Sequence, residues 1–513
     1  MEIEHMSAKI FSAATIGLEG EIVEVEVDVL SAGLHNFTIV GLADTAVKES
    51  RDRVSSALKN SGFKPPHQCG RITVNLAPAD LPKATPIYDL PIALGFLLAT
   101  KQLLFDFHGK MIVGELSLDG RLRPVNGILS ITLLAKSKNF SQIYVPAENV
   151  KEAAIVEGIE VFPVHNLYEM VTHLMGNFPL KPYIPDFSWE SEQGESYLVD
   201  MAHIQGQEHA KKALEIAAAG GHNVILNGPP GSGKTLLAKA MPSILPKLSM
   251  EEALEITKIY SVSGRISRNS SLTKIRPFRD PHHSASGVSL IGGGTFPRPG
   301  EISLAHRGVL FLDEFAEFPK SVLENLRQPL ENGTITISRA KGSLYFPARF
   351  ILVAAMNPCY CGNATDPEKM CSCSPAQIAR YQQKISGPIM DRIDLHIEVP
   401  RLGFEKLQEV NHGETSSEIR KRVEQARTLQ QKRFAGLGIL TNSEMGPDQI
   451  KKFCYLDEKC IELLRNAISA MKISARAYHR IIKIARTIAD LAESEHIQPM
   501  HIAQAIQYRF KTE

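Results

Sequence analysis

The stretch Asn227-Gly228-Pro229-Pro230-Gly231-Ser232-Gly233-Lys234-Thr235 decides how the chain folds. It fits GxxxxGK[ST], with apolar Val224-Ile225-Leu226 before it and helix-like Leu236-Leu237-Ala238-Lys239-Ala240 after it. Strand, glycine-rich turn and helix in that order make a phosphate cradle. The glycines let successive backbone N–H groups converge on phosphate oxygens, and the helix turns its positive end toward them. Lys234 would then reach the β/γ-phosphates and Thr235 the Mg²⁺. An ordinary Gly-rich turn is the bland alternative, and the strand-then-helix context argues against it.

Downstream, Gly308-Val309-Leu310-Phe311-Leu312-Asp313-Glu314 is an apolar run ending in two acids. That is the pattern of a buried parallel strand delivering carboxylates at its C-terminal tip. Asp313 would hold Mg²⁺ through water and Glu314 would polarise the attacking water. A lone acidic pair at a strand end is often only solubilising, but here it follows a cradle at a domain-internal distance. Residues 322–331 read as one helix, and 334–346 as a β-hairpin around an Ala-Lys-Gly tip. Residues 350–357 read as another buried strand, ending in Asn357 where a residue sensing the γ-phosphate would sit. Arg392 lies between Asp391 and Asp394, a pattern that a surface ion pair also explains.

From about residue 402 the chain reads as helical, over 418–434, 458–471, 475–492 and 499–508. Ile481, Ile482, Ile484, Ala485, Ile488 and Leu491 form an apolar face at helical spacing, as in a small bundle. Ser474 as N-cap puts Arg476 in the first turn, where a cation opposes the helix dipole unless it faces phosphates. An ordinary surface arginine is the alternative.

Upstream, residues 1–175 alternate β-like runs (22–27, 37–40, 71–76) with helix-like ones such as 46–60, an α+β or α/β pattern. Residues 176–195 are rich in proline and polar residues and read as a linker. At 513 residues and net charge +1 the chain has room for about three domains, and no global charge demands nucleic acid. The N-terminus is acidic and the longest apolar run, 90–99, is far shorter than a membrane span, so a cytoplasmic protein without membrane partners is expected.

Two blocks of the first domain, 78–90 and 114–127, resemble the proteolytic domain of Lon-type proteases, of the ribosomal-S5-like superfamily. Where those proteases carry a nucleophilic Ser and its partner Lys, this chain has Ile87 and Leu129, which supply neither hydroxyl nor amine. A non-catalytic platform is expected. The cradle, the Asp313-Glu314 strand, the hairpin before Asn357, the arginine after it and the helical end resemble an AAA+ ATPase of the pre-sensor-1 hairpin group. Arg276-Pro277-Phe278-Arg279, Pro281-His282-His283, Gly292-Gly293-Gly294, residues 297–306 and Leu326-Arg327-Gln328-Pro329-Leu330-Glu331 are similar to the ComM/YifB family of magnesium-chelatase-like ATPases.

The resemblance implies an α/β chain: a Lon-like α+β domain over 1–175, a linker over 176–195, an AAA+ core over 196–401 with a Cys-rich insert at 357–375, and a helical lid over 402–513. It implies ATP and Mg²⁺ as cofactors and a ring, usually a hexamer. Lys234, Thr235, Asp313, Glu314 and Asn357 would act in one subunit, Arg392 would be a finger reaching a neighbour's γ-phosphate, and Arg476 would be the lid arginine. It also implies a DNA motor, a branch-migration helicase in recombination during natural transformation. A chelatase-like remodeller of a protein or metal-insertion partner is the alternative.

The residues offer a route to single-stranded or branched DNA. Arg339 and Lys341 on the hairpin, repeated around a pore, would make rings of positive charge that track phosphates without reading sequence. The loop 292–300, with Arg298, would be a second pore element. Cys359, Cys361, Cys371 and Cys373 make CxC-x9-CxC, four of the chain's seven cysteines in a Gly/Asn/Asp-rich loop. Tetrahedral zinc is the natural reading, with free cytosolic thiols as the alternative. His282 and His283 are left outside that metal site.

Overall fold

The computed structural model describes residues 5–30, 34–42, 44–83, 85–185, 197, 199–266, 272–294, 297–339, 342–403, 413–471 and 474–509. They form two compact units: Met1–Gln193 with Met250–Lys274 and Gly294–Pro299, and Gly194–Ser249 with Ile275–Gly293 and Gly300–Glu513. Two segments from inside the range expected for the ATPase core therefore pack with the first unit.

The first unit is built on a seven-stranded sheet of β1 (His5–Ile16), β2 (Glu19–Leu30), β3 (Asn36–Val40), β4 (Arg71–Ala77), β5 (Lys110–Ile112), β6 (Gln142–Pro146) and β7 (Glu160–Val164), in the order β3-β4-β2-β1-β5-β6-β7. In β2 strict alternation turns Val23, Val25, Val27 and Val29 into the core and the acids between them outward, since side chains of a strand alternate faces. The helices Asp89–Ala99 and Ile128–Ser137 pack on β1 and β2. Ile87 and Leu129 are both core residues, 2% and 0% exposed. The helix expected over 46–60 is two, Thr45–Lys48 and Ser50–Asn60. Glu49 between them keeps right-handed helical angles, so the path tightens without reversing.

The second unit holds a five-stranded sheet: β8 (Val224–Asn227), β9 (Phe278–Arg279), β10 (Val309–Leu312), β13 (Ile351–Met356) and β14 (Leu395–Glu398), ordered β9-β10-β13-β8-β14 and parallel throughout. A parallel sheet is covered on both faces, which is why Val309–Leu312 and Ile351–Met356 are buried at every position. Each fully buried Val, Leu or Ile there contributes about 2 kcal/mol relative to exposure. The register pairs Asn227 with Met356 on one side and Glu398 on the other, and Leu312 with Ala354. Gly228, Asp313 and Asn357 consequently leave the sheet at the same edge.

Between β10 and β13 lies the expected hairpin, β11 (Thr334–Arg339) against β12 (Gly342–Pro347). The helix expected over 322–331 is instead two short ones, Lys320–Glu324 and Arg327–Asn332. Pro329 explains the break: it has no N–H for the Asn325 carbonyl, and its ring crowds that turn. The C-terminal helices Ser416–Arg433, Glu458–Met471, Ala475–Leu491 and Pro499–Gln507 match the sequence expectation to within two residues. Ile481, Ile482, Ile484, Ala485 and Ile488 join one hydrophobic cluster with Ile216, Leu237 and Val309, so helical end and sheet share a core. Among the described residues no helix is long and apolar enough to cross a membrane.

Candidate nucleotide site

β8 delivers the chain to Gly228, where a Cβ would stand 2.1 Å from the Val399 carbonyl oxygen, so only glycine lets the loop turn this close to the end of β14. Gly231 and Gly233 take φ of +78° and +91°, and beyond their chain neighbours no heavy atom of the described residues lies within 4 Å of where their Cβ would be. The loop mouth is open there. Ser232 is buried at 4% exposure, and its hydroxyl has no partner among the described residues. The helix Lys234–Ile244 begins immediately after Gly233. An open turn of glycines at a helix start, with a buried hydroxyl still unsatisfied, fits the phosphates of a nucleotide.

Lys234 is 8% exposed. Its Nζ donates to the carbonyls of Gly228 at 2.7 Å and Pro229 at 2.8 Å, and to Asn357 Oδ1 at 3.4 Å. Burial lowers its pKa to about 8, with Asp313 acting the other way. Thr235 Oγ1 donates to Asp313 Oδ2 at 2.9 Å, the hydroxyl and carboxylate that would hold Mg²⁺. Four residues expected to share a site, Lys234, Thr235, Asp313 and Asn357, are thus in direct contact. Gln207 closes the loop from behind, its Nε2 donating to the carbonyls of Pro400 at 2.6 Å and Ser232 at 3.2 Å.

Glu314 follows with φ of +51°, and its carboxylate Oε2 lies 2.8 Å from His283 Nδ1. Asp280, exposed and two residues before His282, has its carboxyl pKa raised by partial loss of solvent first and by the charge of Asp313 second. His282 hydrogen-bonds Ser284 Oγ at 2.8 Å. His283 faces Glu314 although sequence spacing gave no reason to join it to a residue about thirty positions away.

The two arginines meet elsewhere. Arg392, 7% exposed, donates from Nη1 to the Pro388 carbonyl at 2.6 Å and pairs through Nη2 with Glu331. Arg476 stands exposed in the first turn of Ala475–Leu491, which Ser474 Oγ caps by accepting from Ala477 N at 3.3 Å. Its Nη2 is 3.9 Å from the same Glu331 oxygen. Glu331 therefore gathers both arginines. Below them Asp394 accepts from Asn223 N at 3.0 Å and lies 3.1 Å from Arg480, and that cation, with His222, helps hold its carboxyl ionised well below the usual range despite full burial.

Arg339 ends β11, opposite Gly342, and Lys341 lies outside the described residues. Arg298 is exposed. The four cysteines come together: Sγ–Sγ distances are 3.4 Å for Cys359–Cys361, 3.7 Å for Cys359–Cys371 and 3.5 Å for Cys361–Cys371, and all four sulfurs, including Cys373, lie within 4.8 Å of one another. Tetrahedral Zn–S bonds of about 2.3 Å require sulfurs about 3.8 Å apart, which this cluster matches closely.

Comparison with known families matches three stretches of the chain. Residues 200–407 match the family model described as magnesium chelatase, subunit ChlI, residues 24–149 match subunit ChlI of Mg-chelatase, and residues 413–509 match its C-terminal region. Competence protein ComM of Haemophilus influenzae is 45% identical over 511 residues, covering 98% of this chain and 97% of that protein. The uncharacterized protein YifB of Escherichia coli K12 is 42% identical over 503 residues, covering 98% and 96%. A magnesium-chelatase 67 kDa subunit of Chlorobaculum tepidum is 28% identical over 167 residues, 31% of this chain and 24% of that protein. With likeness of this extent around an AAA+ nucleotide site, the chain belongs to the ComM/YifB family of magnesium-chelatase-like AAA+ ATPases.

Proposed function

We propose that the chain is an ATP-driven motor that assembles as a ring, a hexamer, and migrates branched DNA during recombination of incoming DNA in competent cells. The observation that carries the ATPase part is the convergence of Lys234, Thr235, Asp313 and Asn357 on one open glycine turn. Bound Mg²⁺ and ATP would supply the phosphoryl group and neutralise its charge. The chain's own groups would divide the work: Lys234 and the loop N–H groups would hold the phosphates, Thr235 and Asp313 the metal, and Glu314 would orient a water and accept its proton. The DNA part rests on the likeness to a competence protein across nearly the whole length of both chains, and on Arg339 and Lys341 at the hairpin.

Arg392 deepens the ring reading. Its guanidinium is buried against Glu331, so reaching a neighbour's γ-phosphate would require it to leave that carboxylate, exchanging one anion for another. Zinc in the four-thiolate cluster completes the proposed complement of ions. A second reading, a remodeller of a protein or metal-insertion partner, draws on the three family descriptions, all of a magnesium-chelatase subunit. ATP hydrolysis measured with single-stranded, duplex and forked DNA separates the two. The motor reading expects forked or single-stranded DNA to raise the rate and Lys341→Ala to reduce that rise; rates that stay flat across all DNA substrates favour the remodeller.

A further inference from the structure

The cysteine loop does more than close on itself. Gly362, held at φ +81° by its N–H to the Cys359 carbonyl at 3.0 Å, lies directly on the phosphate cradle: a Cβ there would be 2.6 Å from Pro230 Cδ and 3.9 Å from Asn357 Cγ. Cys359, 1% exposed, is two residues from Asn357, which itself accepts from Lys234. On its other side the loop presents Tyr360, whose ring packs edge-on against Tyr381 with centroids 4.9 Å apart. Lys384 Nζ sits 5.0 Å above Tyr360 and 5.3 Å from the Tyr381 centroid, and pairs with Glu317 at 2.8 Å. Glu317 N–H in turn donates to the Glu314 carbonyl at 2.7 Å. A third strut, Arg401, just beyond β14, approaches Asp366 at 3.5 Å and Glu368 at 3.7 Å.

One loop thus touches the cradle and the sensing asparagine, and through Lys384 the turn that carries Glu314. Its own residues are poor at holding a shape: between the cysteine pairs the chain is Gly-Asn-Ala-Thr-Asp-Pro-Glu-Lys-Met, and Met370 is 97% exposed. With so little apolar burial between the cysteine pairs, the loop depends on the few struts at its ends and on what the four sulfurs hold.

We infer that a thiophilic divalent cation of the zinc class, held by Cys359, Cys361, Cys371 and Cys373, locks this loop as a bracket on Pro230 and Asn357, so that nucleotide affinity depends on the metal. This rests on the zinc reading above and not on the DNA reading. Binding of mant-ADP by the full chain, without DNA, tests it alongside metal analysis.

Protein from metal-replete expression should carry close to one zinc per chain. Stripping it with a strong chelator should weaken mant-ADP binding about tenfold, Zn²⁺ alone should restore it, and Cys69→Ser should change neither quantity. Gly362→Ala, which forces a Cβ onto Pro230 and strains the left-handed turn beside Cys361, should bind mant-ADP more weakly, with its zinc content measured alongside. Zinc well below one per chain overturns the metal reading and the bracket with it. Zinc at one per chain with mant-ADP affinity indifferent to its removal overturns the bracket alone. Should the stripped chain lose its helical circular dichroism, a Cys371→Ser/Cys373→Ser chain that keeps its helical signal decides, and unchanged mant-ADP affinity in that zinc-free variant overturns the inference.

Discussion

Lys234 is the residue on which the site's chemistry turns, because it is both buried and cationic. Its three contacts in the free site, two carbonyls and an amide oxygen, are dipoles, and burial outweighs the help of Asp313 in lowering its pKa to about 8. Phosphates would raise that value, so nucleotide binding above neutral pH takes up a proton. The sign follows from linkage: a group protonated more in the bound state binds best below its free pKa. Affinity for mant-ADP should hold steady below about pH 7 and fall above about pH 8, by up to about tenfold per unit for a single proton. Calorimetry in buffers of different ionisation enthalpy should detect the uptake. An affinity flat across this range would mean that Lys234 does not meet the phosphates. Glu314 is set differently. It is about half exposed, in left-handed backbone, and faces His283.

At the scale of elements, the parallel sheet and its loop were legible because each strand there is a short apolar run ended by a chemically distinctive residue: Asn227-Gly228, Asp313 and Asn357. Register alone then brings those ends together. Contacts between elements were not legible. Glu331 joining Arg392 and Arg476, His283 facing Glu314, and Gly362 resting on Pro230 depend on loop paths that local periodicity does not encode. The helix read over 322–331 is two because Pro329, itself inside Arg327–Asn332, has no N–H to offer the Asn325 carbonyl and crowds that turn. Gly228 tests how tightly the strand ends are packed. Gly228→Ala must displace either the cradle or the Val399 backbone, which as an overpacked site should cost about 2 kcal/mol of stability and weaken nucleotide binding. Thermal unfolding with and without mant-ADP checks both, and a variant with the wild-type melting temperature and affinity would show that the loop yields without cost.

At the scale of the whole molecule, Arg392 and Arg476 meet each other at Glu331 but make no contact with Lys234, Asp313 or Glu314 among the described residues. On the proposed reading the arginine needed at one site comes from the next subunit. Lys234→Ala and Arg392→Ala chains should each hydrolyse ATP poorly alone. Mixed, they should regain activity, because in a random ring roughly one interface in four joins an intact lysine to an intact arginine. Absence of any recovery would point to sites complete within one chain.

If ATP hydrolysis drives movement on branched DNA, the chain should separate a fluorescently labelled strand from a four-way or forked junction. The wild-type chain should release the strand with ATP and Mg²⁺ and not without them, while Glu314→Gln should bind the junction yet release strand at least about a hundredfold more slowly. A wild-type chain that hydrolyses ATP but releases no strand from any junction would contradict the account.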